Sequence, residues 1–298
     1  MYTSDYLLEK RLKELDPGLH KRFTDSMSAI LYRLDKFQLL FPEYTDHSEF
    51  HVLNVINFCN ILIGQKHIED MNADEIYVLL MSCYLHDIGM AITEKDYEEF
   101  KEQLGADEYF RKYPDREVPD FVRDLHHEFS GLFIHKYAQM LDIPSKEHEF
   151  AIVQVARGHR RTDLFDPEEY PSVLVVPGGN EVDLPYLAAL IRLADEIDVV
   201  TDRNPKLLYD IEVLTDSFQI DEHRRLEAVQ SMKVLPDRFI LDAYTDDDAL
   251  WFAIEKMVKK MQDTLDYCRQ VVELRSSCTI TQKLVELNRI DAEKPREE

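Results

Sequence analysis

The chain has 298 residues, 45% hydrophobic and 32% charged, enough for one large domain or for one domain with an appendage. Its 59 acidic residues against 35 basic ones give a net charge of -24, which excludes broad nucleic-acid binding but not a small anionic substrate held by a metal or a local arginine cluster. The four cysteines form no CxxC pair and read as reduced core thiols, no stretch is long and apolar enough to span a bilayer, and the N-terminus has no signal-peptide core, so a cytoplasmic location is expected.

Eight glycines are few for this length, and helical periodicity runs through much of the chain. "FPEYTDHSEF" closes a first helical region near residue 40. A helix is predicted from Asp46, with Glu49 completing a capping box, through "HVLNVINFCNILIG" to Gly64. His47 and His51 share a face of it, a spacing that suits a metal and equally a polar helix edge. The next helix covers residues 74–88 and ends on His86-Asp87, with Gly89 suited to the left-handed position beyond it.

An acidic, aromatic segment, residues 93–118, separates this helix from a third that starts near Pro119. The apolar stripe of the third is Phe121, Val122, Leu125, Phe129, Leu132 and Phe133. At about 100° per residue, His126 falls at the edge of that stripe and His127 on the far side, so His126 is expected inward and His127 outward. A fourth helix runs from its cap Ser145 to Gly158, and His159 follows amid Arg157, Arg160 and Arg161. Those arginines suit phosphate oxygens, and equally a helix C-terminus.

"PSVLVVPGGNEVDLP" reads as a short hairpin turning at Gly178-Gly179. The fifth helix, "PYLAALIRLADEIDVV", carries Arg192, Asp195 and Asp198. Helical geometry puts Asp198 nearer than Asp195 to the apolar stripe. Past residue 210 the pattern changes: "KVLPDRFILDAYT" alternates as strand, and a long amphipathic helix follows from Asp248. The expected fold is mainly α, a helical bundle over residues 1–210, with a smaller α+β region over 211–298. The long helix could pack on its own domain or on a second copy in a homo-oligomer.

The ordered set His51, His86-Asp87, His126, His159, Asp195 resembles the HD-domain superfamily of metal-dependent phosphohydrolases. "HDIG" at 86–89 has the form of that family's signature, "DHSEFHVLNV" is similar to its first motif and "RLADEID" to its closing one, while "LHHEFS" and "GHRR" resemble its intermediate histidine motifs. The resemblance covers residues 40–205. It implies a bundle of five or more helices around a metal, with His51, His86, Asp87 and Asp195 as ligands of a first ion. The resemblance favours Asp195 where helical geometry favours Asp198. His126 and His159 would either bind a second ion bridged by Asp87 or serve as acid, base or phosphate-binding groups.

The resemblance therefore implies hydrolysis of a phosphoester or phosphoanhydride of a small, nucleotide-like molecule, by a phosphodiesterase, phosphomonoesterase or triphosphohydrolase using metal-activated water. Imidazole and carboxylate donors without thiolate suit Mn²⁺, Fe²⁺ or Mg²⁺, as one or two ions. Asp87, His126 and His159 are the candidate catalytic groups, with His126 protonating the leaving group. His47, His127, Arg157, Arg160, Arg161 and Arg192 are candidates for binding substrate. The competing expectation is an HD-type module that binds a ligand or regulates without turnover.

Overall fold

The computed structural model describes residues 7–34, 49–199 and 224–290. His47, the Asp46 cap, the 210/211 boundary and the tail from 292 lie outside the described residues. The chain is mainly α, with a smaller α+β part towards the C-terminus. No helix among the described residues is long and apolar enough to cross a membrane.

Helices α1 (Leu7–Leu15), α2 (Pro17–Leu34), α3 (Glu49–Ile63) and α4 (Gln65–Asp70) lead to α5 (Ala73–Leu85). α5 is buried along Ile76–Leu85 on every face, because α1, α2, α3 and the later α10 and α11 all pack on it. A helix enclosed in this way needs no polar stripe, which is why its sequence from Ile76 to Leu85 is apolar but for Ser82. Asn72 caps it in a full capping box with Glu75. α5 ends at Leu85, three residues earlier than predicted; a 3₁₀ turn over Ile88–Ala91 follows.

Residues 93–118 are not a plain spacer. They contain α6 (Glu94–Phe100) and α7 (Ala106–Lys112), whose rings Tyr97, Phe100, Tyr109 and Phe110 pack with Phe121 and Phe129 in a second apolar cluster. The predicted third helix is two, α8 (Val118–Asp124) and α9 (His126–Tyr137), broken at Leu125 with φ -117°, ψ 16°. α10 (Lys146–Arg157) has the predicted cap, Ser145, which accepts from the His148 amide. The hairpin pairs β1 (Leu174–Val175) with β2 (Glu181–Val182), and both turn glycines have positive φ. α11 (Leu184–Ile197) follows.

In the C-terminal part, β3 (Val229–Val234) and β4 (Arg238–Ala243) form an antiparallel pair. After the long α12 (Asp248–Arg275), β5 (Leu284–Arg289) returns parallel to β4. α12 lies against both α11 and β5, so this part is fastened to the helical bundle.

One polar staple locks α2, α6 and α9 together. Asp96, 1% exposed, accepts from Arg33 (2.8 Å), Lys136 (2.9 Å) and the Tyr137 hydroxyl (2.8 Å), besides Thr93. Burial pushes its carboxyl up, but the hydrogen bonds from Thr93, Lys136 and Tyr137 outweigh burial and hold it well below the ordinary range. A depressed carboxylate contributes stability above its unfolded pKa, near 4, and loses it as pH falls below that. Asp96→Asn should therefore destabilise the fold by about 3 kcal/mol at pH 7, the scale for breaking one partner out of a buried pair. In urea melts taken from pH 7 to 3 the gap to wild type should narrow below pH 4.

Candidate metal centre

Five stretches of the chain bring the predicted residues into one buried cluster. His51 comes from the first turn of α3, and His86-Asp87 from the link between α5 and the 3₁₀ turn. His126 opens α9, and His159 follows the end of α10. Asp195 comes from the last turn of α11. All of the histidines and Asp87 are at most 5% exposed, and the Asp195 side chain is the most open at 14%.

The Asp87 carboxylate stands at the middle. Its Oδ2 is 3.4 Å from His51 Nε2 and 3.3 Å from His86 Nε2; its Oδ1 is 3.3 Å from His126 Nε2 and 3.5 Å from His159 Nε2. Two donor groups result, His51–His86–Asp87 and Asp87–His126–His159, each with its donor atoms within 4.8 Å of one another. Asp195 Oδ1 joins the first, 3.3 Å from His51 Nε2 and 4.0 Å from His86 Nε2.

Each imidazole is held by its other nitrogen. His86 Nδ1 donates to the Cys83 carbonyl (2.8 Å), His126 Nδ1 to Arg123 (2.6 Å) and His159 Nδ1 to Ala156 (2.5 Å). His51 Nδ1 donates to Asp198 Oδ2 at 2.6 Å, and Asn54 donates to the other oxygen of Asp198 at 3.1 Å. A carbonyl can only accept, so the proton of each neutral ring sits on Nδ1 and Nε2 offers a lone pair. Yet His51 and His86 bring Nε2 atoms within 3.1 Å, and His126 and His159 within 2.9 Å. Facing lone pairs repel unless a cation takes them.

Protonating His159 is costly here. Burial presses His159 down to about 3, against the hydrogen bond to Asp87 that favours its charged form. Burial also pushes the Asp195 carboxyl up, but the hydrogen bond and charge of His51 prevail and hold it well below the usual range. Carboxylate oxygens thus face imidazole nitrogens in a buried pocket. Nitrogen and oxygen donors so arranged could hold a metal ion.

The two aspartates divide the work that the sequence left open. Asp195 faces the Nε2 side of His51, whereas Asp198, fully buried just beyond α11, faces Nδ1. Asp198 is the more deeply buried of the two, although it stands beyond the helix whose phasing set it nearer the apolar stripe.

His127 does not point outward. It is 6% exposed, beside Glu128 at 3.5 Å, and burial lowers it to about 2. Helical phasing failed because it ran through the break at Leu125, which resets the direction of α9. Of the arginines, Arg157 is committed to Glu128 by a two-pronged bridge (3.0 and 2.8 Å), and Arg192 to the carbonyls of Gly158 and Thr162 (2.6 and 2.8 Å). Arg160 and Arg161 are exposed, with no ion pair among the described residues. Two supporting residues escaped the sequence reading. Asn54 sits one turn after His51, and Ser130 one turn after His126, where its hydroxyl donates to the His86 carbonyl (2.6 Å) and accepts from Gly89 (2.9 Å).

No curated protein and no solved structure matches the chain. The model of one protein family, HD-CE, matches residues 41–274, well over half of the chain and past the segment in which the motifs were read. With its ordered histidines and aspartates gathered in one buried cluster, the chain belongs to the HD-CE family and contains an HD-type domain.

Proposed function

We propose that the protein is a metal-dependent phosphohydrolase acting on a phosphoester or phosphoanhydride of a small, nucleotide-like molecule. The observation that carries this reading is the convergence of four Nε2 lone pairs on the two oxygens of Asp87. His51, His86, Asp87 and Asp195 would hold one ion, and Asp87, His126 and His159 a second. A divalent cation there supplies the charge that polarises a phosphoryl group and acidifies water. The chain supplies the rest. Asp198 and the carbonyls of Cys83, Arg123 and Ala156 fix the tautomers, so each Nε2 is ready to bind. Burial keeps out competing water and strengthens the local field. Arg160 and Arg161, exposed beside His159 and without an ion pair among the described residues, are the arginines best placed to meet phosphoryl oxygens. If only the first group fills, His126 is the acid for the leaving oxygen, in the form that carries a proton on Nε2 as well as the Nδ1 proton given to the Arg123 carbonyl.

The test is purification without chelator, loading with Mn²⁺, Fe²⁺ or Mg²⁺, and a screen of p-nitrophenyl phosphomonoester, phosphodiester and nucleoside triphosphates. Metal-dependent product release that chelation reverses is expected. Stoichiometric metal without turnover on any of these would favour the ligand-binding or regulatory module instead.

The aspartates should separate in Mn²⁺ titrations. Asp195→Ala removes a donor and should abolish binding at the first group. Asp198→Ala removes only the brace on His51 and should weaken it by about 10- to 100-fold.

A further inference from the structure

His159 lies just past the end of α10, on a turn that runs on as loop to residue 173. Side chains from far along the chain tie that turn down. Arg192 of α11 donates Nε to the Gly158 carbonyl (2.6 Å) and Nη2 to the Thr162 carbonyl (2.8 Å) and hydroxyl (3.3 Å). Its guanidinium lies 5.1 Å from the ring centre of Tyr267 in α12. The Tyr267 hydroxyl accepts from the Leu164 amide (2.8 Å) and donates to Asp163 (3.1 Å), while Arg275 grips the carbonyls of Phe165 (2.5 Å) and Tyr170 (2.9 Å).

Arg192 also stands three residues, about one turn, before Asp195. One side chain thus links the helix that presents Asp195 to the turn that presents His159, with α12 backing it. Its hydrogen bonds go to the turn, so it is poorly suited to seize a phosphate.

We propose that Arg192 is a positioning residue for His159. By fixing the Gly158 and Thr162 carbonyls it sets His159 Nε2 against Asp87, so that filling of the Asp87–His126–His159 group depends on it and filling of the His51–His86–Asp87–Asp195 group does not. This rests on the metal reading above. α12, from the C-terminal region, is thereby part of the machinery of the second group.

The experiment is Mn²⁺ binding by equilibrium dialysis, with electron paramagnetic resonance of the loaded full-length protein. Wild type should bind two ions and show the signal of an exchange-coupled Mn²⁺ pair. Arg192→Met should keep one ion at wild-type affinity, bind the second about 10- to 100-fold more weakly, and show an uncoupled signal when one ion is bound. Arg192→Lys, which can still reach one carbonyl, should recover part of the loss. Tyr267→Leu, a gentler change, should shift the second ion in the same direction if Arg192→Met fails to fold. Coupled pairs of undiminished affinity in Arg192→Met, or in Tyr267→Leu should the former not fold, would overturn the assignment of Arg192 alone. A wild type that binds no Mn²⁺ would overturn the assignment and the metal reading together.

Discussion

Asp87→Ala should leave the protein unable to hold an ion in either donor group. Both oxygens are engaged, Oδ2 towards His51 and His86 and Oδ1 towards His126 and His159. No other carboxylate of the cluster faces both pairs of imidazoles, since Asp195 lies only on the side of His51 and His86. Alanine thus takes the shared anion away and leaves the four imidazoles without the carboxylate that joins them. A metal's charge stabilisation of a phosphoryl transition state is worth several kcal/mol, and about 4 kcal/mol corresponds to about a thousandfold in rate. Turnover should fall by at least that factor, and elemental analysis should find no stoichiometric metal. A variant that kept one tightly bound ion would mean that one of the groups closes without its bridging carboxylate.

Gly89→Ala should be the most damaging small change to the fold near the site. The sequence suggested a left-handed glycine, but Gly89 lies in the 3₁₀ turn and does not have positive φ. It is glycine because α9 passes too close for anything larger. A Cβ there would stand 2.1 Å from the His126 carbonyl oxygen and 2.8 Å from the Ser130 amide nitrogen, both backbone atoms. Neither can swing aside, so α9 must move off the turn. That would break the Gly89–Ser130 and Ser130–His86 hydrogen bonds and draw His126 away from Asp87. Overpacking of this rigidity costs about 3 kcal/mol or more. Denaturant melts should show that loss, and Mn²⁺ titration should show the second group weakened more than the first.

The parts of the fold that local chemistry decides were readable before any coordinates. The Ser145 cap, the Gly178-Gly179 turn and the apolar run of α5 each need only their neighbours in sequence. The site's skeleton was legible in another way, as an ordered set of histidines and aspartates from His51 to Asp195 that resembles the HD-domain motifs, since the His86-Asp87 pair alone is equally a polar helix end. What escaped reading depends on contacts distant in sequence. The break at Leu125 separates α8 from α9 beside the aromatic cluster, and phasing carried through it misplaced His127. α6 and α7 are short, and their acidic, aromatic composition hid them, although Thr93 and Asp96 form a capping box. β5 pairs with β4 across the whole of α12, a partnership that alternation alone cannot announce. Asp195 and Asp198 could not be told apart because the decision lies in which nitrogen of His51 each one meets.

The most direct measurement is anomalous diffraction at the manganese edge from crystals of the full chain grown with Mn²⁺. Two peaks should flank the Asp87 carboxylate, one beside Nε2 of His51 and His86 and the other beside Nε2 of His126 and His159. A pocket with no anomalous peak in Mn²⁺-saturated crystals, its imidazoles bonded only to protein and water, would contradict the metal centre and the hydrolytic chemistry built on it.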